Sequence, residues 1–152
     1  TATMLQNGSD RWLGILHSVF SATRMFGGSI QAAYAVQGFV AGCAVLAVVE
    51  IWKSRRTSFA VRAASLTAAI FLISPYSFVY DQVLLAIPIA LLAGEGLKTG
   101  FLPYEKTLLL ALWLLPFLVQ DCGAYFAFPL TPPLLAALMA VCWRRKELIP
   151  GA

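Results

Sequence analysis

The chain alternates long apolar runs with short polar breaks, and the runs have no periodic polar positions inside them. The first extends over about 29–52 and ends in "KSRRTSFAVR". A second, about 60–73, leads into "SPYSFVYDQ", and a third follows over about 83–93. After "GEGLKTGFLPYEK" comes a fourth over about 107–119. "QDCGAYFAFPLTPP" then separates it from a fifth, about 129–143, which closes in "WRRKE". Runs of this kind are the hydropathy signature of membrane spans rather than of buried core helices. The predicted fold is therefore all-α: a polytopic membrane helix bundle of about five spans.

Ahead of the first span, "DRWLGILHSVFSATRMF" carries apolar residues at 12, 15, 16, 19, 20 and 26 and small or polar ones at 11, 14, 18, 21 and 24. That is helical spacing with one greasy face. It predicts an amphipathic helix lying in the membrane interface, capped by Ser9 or Asp10 and ended by Gly27-Gly28. Residues 1–28 are thus expected to form an extracytoplasmic loop with this helix, and 29–152 a transmembrane bundle. Gly38 and Gly42, four apart in the first span, suggest close helix packing.

Composition agrees. Of 152 residues, 60% are hydrophobic and only 12% charged, against about 25% charged in a soluble domain. The net charge of +4 does not imply nucleic acid, because the basic residues are not gathered on a soluble face. They follow the spans instead. If 74–82 is a turn, then Lys53, Arg55, Arg56, Arg62, Lys98, Lys106, Arg144, Arg145 and Lys146 all fall on one side. These are nine of the eleven basic residues, so that side is the cytoplasmic one and the C-terminus lies there. A single helix over 60–93 would instead reach roughly 50 Å at about 1.5 Å per residue, beyond a roughly 30 Å hydrocarbon core.

The opening "TATMLQNGSD" has neither an initiator Met nor the pattern of a signal peptide. The expectation is a C-terminal piece of a longer protein. Cys43, Cys122 and Cys142 have no metal-ligand spacing, and no metal or cofactor is expected. The "NGS" at 7–9 matches a glycosylation pattern too short to carry weight.

The chemistry-bearing stretch is Ser74 to Gln82. Pro75 should end the incoming helix, since it has no amide proton and biases Ser74 away from helical geometry. Asp81 then sits near the start of the next helix, where free amides favour a carboxylate; helix-start duty alone would explain it. Arg24 suits a phosphate but equally suits snorkelling to headgroups. His17 reads as a filler of the apolar face.

"LISPYSFVYDQVLLAIPIALL" resembles glycosyltransferase family 87, polyprenyl-phosphate-dependent membrane transferases of the GT-C class. These tend to have a Ser-Pro turn, aromatic residues and a "YD" before an apolar helix. Other members carry two histidines where Tyr80 and Asp81 stand here. "SVFSATRMFGGSIQAAYAVQG" is similar to the family's stretch before a late span, and the likeness extends in order and spacing over about 19–145.

The resemblance implies a hexosyltransferase of the bacterial plasma (inner) membrane. It would move a sugar, typically mannose, from a polyprenyl-phosphate donor to a lipid or glycan acceptor on the extracytoplasmic face. The general base of such enzymes usually lies in an early loop, so no catalytic residue is expected within these residues. Asp81, Tyr80, Ser77, Tyr76 and Arg24 become substrate-binding candidates. A transporter or flippase-like protein using Asp81 as a substrate or coupling-ion carboxylate is the alternative, and a passive scaffold is a third.

Overall fold

The computed structural model describes residues 17–125 and 129–147, the side chains of 79 and 118–125 excepted. The predicted caps at Ser9 or Asp10, the greasy positions 12, 15 and 16, and the loop residues Asp121 and Cys122 as side chains lie outside what is described.

Every regular element among the described residues is helical: α1 (Val19–Met25), α2 (Ile30–Lys53), α3 (Phe59–Ile73), a 3-10 segment (Val79–Leu85), α4 (Ala86–Thr99), α5 (Glu105–Tyr125) and α6 (Thr131–Glu147). Serine hydroxyls start the first three. Ser18, Ser29 and Ser58 accept from the backbone N–H of Ser21, Ala32 and Val61, each satisfying one amide that the helix itself leaves free. The helix expected ahead of the first span is not continuous up to Gly27: Ser18 caps α1, and Val19 is its first residue. It ends as expected, with Gly27 at φ 82°. A Cβ on Gly28 would lie 2.8 Å from the Thr23 carbonyl oxygen, so that position has no room for a side chain.

Among the described residues, two helices are long and apolar enough to cross a membrane: Ile30–Lys53, and the continuous run Tyr80–Thr99 formed by the 3-10 segment and α4. α3 is apolar but has only 15 residues, about 22 Å of helix. The five spans expected from the sequence thus reduce, among the described residues, to two by length and composition. The most apolar windows of these two helices are only 17% and 28% buried within the chain, whereas the core helix of a soluble domain is mostly covered. Phe39, Leu46, Ile70, Val83, Leu110, Trp113 and Phe117 are likewise exposed, far beyond the scattered apolar residues of an aqueous surface.

α3 lies in the middle, packed against α2, α4 and α6, while α5 closes on the 3-10 segment, α4 and α6. One apolar core unites them, with Ile51, Val61, Ala68, Leu72, Leu92, Leu112 and Leu138 among its members. On α2 the buried positions Ala33, Gln37, Ala44 and Ile51 form one stripe. Gly38 and Gly42 lie off that stripe, and a Cβ on either would meet nothing within 4 Å. The close approach expected at this pair is not made among the described residues.

Successive long helices reverse direction, so the bundle has two chemically different ends. One carries the 54–58 and 100–104 turns and the end of α6. There Arg62 donates to the Ser54 carbonyl (2.7 Å), and the Trp52 indole donates to the Arg62 carbonyl (3.2 Å). At the same end, Arg145 is held by Glu105, Thr99 and Gly100. The nine basic residues cluster here. The opposite end carries α1, the 74–82 turn and the start of α6.

Candidate functional site at the neutral pole

A single side chain organises the neutral pole. Gln37, buried on α2, accepts from the Phe20 N–H through Oε1 (2.9 Å) and donates through Nε2 to the carbonyls of Leu72 (2.8 Å) and Ile73 (3.1 Å). The need for these bonds is written in the chain. Phe20 is in the first turn of α1 and has no intrahelical acceptor. α3 stops before Pro75, which has no N–H to offer, so its last carbonyls need outside donors. Gln37 answers both ends at once and fixes α1 against the exit of α3.

The turn then runs to Asp81. The Ser74 hydroxyl accepts from the Tyr76 N–H (3.3 Å), and one Asp81 carboxylate oxygen accepts from the Phe78 N–H (2.9 Å). Asp81 therefore does start a helix, as its position implied, but a 3-10 one. A carboxylate has about four lone-pair sites, so this cap leaves it acceptor capacity. Tyr80 is 70% exposed, with its ring stacked on Phe78 at 5.2 Å between centroids and 9° between planes. Tyr76 packs with Phe78 against Phe20 and Ala33.

Ser77 is buried, and its hydroxyl has no hydrogen-bond partner. Its backbone carbonyl accepts from the His17 N–H at 2.8 Å. His17 is also buried, and its Nε2 is without a partner. Burial holds the imidazole well below its ordinary value of 6.5, at about 4, so it is neutral at pH 7. Unpaired buried polar atoms are uncommon, and each invites a ligand, an ion or an ordered water. Two of them stand on residues joined by one backbone hydrogen bond.

Arg24 goes elsewhere. Its Nη1 donates to the Gly28 carbonyl (2.9 Å), bracing the end of its own helix, and its buried Nε has no partner. No ion pair links it to Asp81 among the described residues, whose salt bridges are Lys53–Glu50 and Arg145–Glu105. The five candidates thus divide: Tyr76 and Ser77 face α1, Asp81 and Tyr80 form the outward side of the turn, and Arg24 closes a loop. His17 and Gln37 join the site on structural grounds. A glutamine inside an apolar span was the available signal for Gln37, since an intramembrane amide needs partners. No signal pointed to His17.

The set of neutral hydroxyls, an imidazole, a carboxylate and an exposed tyrosine ring suits hydroxyl-rich ligands better than a free phosphate. Among the described residues no group of three or more His, Cys, Asp or Glu side chains is placed to hold a metal ion. The chain matches no family model, no curated protein and no solved structure.

Proposed function

We propose that the chain is the carboxy-terminal membrane portion of a polyprenyl-phosphate-dependent hexosyltransferase of the glycosyltransferase family 87 type. It is a multi-pass protein of the bacterial plasma membrane with its C-terminus in the cytoplasm and its neutral pole outside. The donor is a polyprenyl-phosphate hexose, mannose by the resemblance. The acceptor is a lipid or glycan hydroxyl, and membrane lipids surround the bundle.

The observation that carries this reading is the separation of chemistry between the two ends. Basic residues gather at one pole, as cytoplasmic loops require. Ser77, His17, Tyr80 and Asp81 gather at the other, on the face where lipid-linked sugars are used. The exposed apolar flanks of Ile30–Lys53 and Tyr80–Thr99 fit a lipid surround. In this role Asp81 and Ser77 hold sugar hydroxyls and Tyr80 offers its ring to a sugar face. The base that deprotonates the acceptor belongs to another part of the protein.

The test is transfer of labelled hexose from a polyprenyl phosphate by the full-length protein in membrane vesicles. Ser77→Ala, Tyr80→Ala and Asp81→Asn should each lower transfer about tenfold or more while insertion stays normal. Absence of transfer by the wild type from any such donor would contradict the proposal. Solute uptake that depends on Asp81 would favour the transporter reading in its place.

A further inference from the structure

Between α2 and α6 a groove of about 320 Å³ runs over Leu72 of α3. Alanines create it. Ala44 and Ala47 on one helix and Ala136 and Ala140 on the other line it, and their methyl groups are too short to fill the space between the two backbones. Cys43, also in the lining, is exposed, so the groove opens on the apolar flank of the bundle. Both helices run from the neutral pole to the basic one. The groove follows them for about 10 Å, the rise of the seven residues from Val40 to Ala47 or from Ala136 to Trp143.

The basic end of the groove is chemically different. Trp143 lines it there, and its indole N–H donates to the Glu147 carboxylate at 2.9 Å. The Lys146 ammonium sits over the same ring, 4.4 Å from its centroid, and its charge reaches Glu50 on α2. Lys53 bonds Glu50 at 2.7 Å, with its side chain 67% exposed. Lys146 makes no salt bridge among the described residues, whose ion pairs are Lys53–Glu50 and Arg145–Glu105. Its three N–H donors therefore have no carboxylate at bonding distance. Arg55 and Arg56, both exposed, follow in the turn after α2. Four cations thus meet two carboxylates at this end, Glu50 and Glu147, an excess of two positive charges (4 − 2).

These features select an occupant. Trp52 and Trp143 stand at this level, and tryptophans mark the depth where hydrocarbon gives way to headgroups. The volume is about twice the ~150 Å³ apolar cavity that accepts a benzene ring, which suits a stretch of acyl chain. A lipid without net charge would leave the positive excess unanswered, and a free anion would make no use of the apolar wall. We infer that the α2–α6 groove binds one phospholipid with an anionic headgroup. An acyl chain lies along Ala44, Ala47 and Ala140, and Lys146 donates to the phosphate. The site needs the bundle to lie in a bilayer, but it does not depend on the transferase reading.

The experiment uses the full-length protein in lipid nanodiscs with two probes that carry the same photoreactive acyl chain, phosphatidylglycerol and phosphatidylcholine. Crosslinked peptides are read by mass spectrometry. Phosphatidylglycerol should label 40–47 and 136–143 at least fivefold above phosphatidylcholine. Lys146→Gln, a change at the surface, should lower that labelling about fivefold, the equivalent of about 1 kcal/mol, and leave phosphatidylcholine labelling unchanged. Ala140→Phe, which fills the groove and keeps both lysines, should remove labelling of 40–47 by either probe. Equal labelling by the two probes, labelling spread evenly over α4 and α5 as well, wild-type labelling of Lys146→Gln, or no labelling of these segments by either probe would each overturn the inference.

Discussion

The Arg145 guanidinium meets the Glu105 carboxylate in a two-point fork, Nε to Oε1 at 2.7 Å and Nη2 to Oε2 at 2.6 Å, with the carboxylate wholly buried. Arg145 also donates to the Thr99 hydroxyl (3.0 Å) and the Gly100 carbonyl (3.1 Å), and Glu105 accepts from the Leu102 N–H (2.8 Å). One ion pair therefore binds the end of α6 to the end of α4 and the start of α5. Paired planar groups with their remaining donors and acceptors satisfied are the geometry in which a buried ion pair is stable.

Breaking that fork from one side leaves a buried charge. Arg145→Met or Glu105→Leu alone should cost about 3–5 kcal/mol, seen as a lower unfolding midpoint in detergent. The double substitution should cost less than the sum of the two, because it leaves no charge stranded. A double-mutant cycle measures the difference.

Gly96 supports the same loop from behind. A Cβ there would overlap the Phe101 ring, which lies under the Lys106 ammonium at 4.9 Å. Gly96→Val should displace Phe101 and destabilise the bundle by about 1–3 kcal/mol. Its effect should be smaller in an Arg145→Met background, since both act on the 99–105 connection.

Gln37 divides into two testable halves. Gln37→Leu strips the Phe20 amide and the Leu72 and Ile73 carbonyls of partners and should cost about 2–4 kcal/mol. Gln37→Glu retains an acceptor for the Phe20 N–H but, when ionised, offers no donor to the carbonyls. Hydrogen exchange at Phe20 should therefore speed up in the Leu variant and much less in the Glu variant.

His17 makes the neutral pole acid-sensitive. Its imidazole is held at about 4 in the folded chain against 6.5 when free, so the unfolded chain binds a proton first. Its contribution to stability is present above pH 6.5 and is lost as pH falls from there toward 4. Opening of the α1 contact with the 74–82 turn should rise by up to about tenfold per pH unit in that window. His17→Phe should flatten the dependence, read by hydrogen exchange at the His17–Ser77 contact region.

Helix positions were legible wherever a local cause existed. The run at 29–52 is α2 at Ile30–Lys53, and Pro75 and Asp81 act where their chemistry says they must. The connections between helices were not. Gln37 bonds residues 35 and 36 positions away, and Arg145 bonds a carboxylate 40 positions away. Nothing nearby in sequence marks either pair. Arg145 read as one more surface cation beside Arg144 and Lys146, and Glu105 as part of a polar loop. Within the candidate site, Ser77 and Asp81 were legible from the interruption of an apolar run. His17 was not, because its role comes from a backbone contact with a turn 60 residues later (77 − 17).

In the proposed topology the neutral and basic poles lie on opposite sides of a membrane. The most direct measurement uses the full-length protein in intact cells, with Cys43, Cys122 and Cys142 replaced by serine and a single cysteine at either Tyr80 or Lys98. A membrane-impermeant maleimide should label Tyr80→Cys from outside and reach Lys98→Cys only after permeabilisation. Labelling of both from the same side, or the reverse order, would contradict the account.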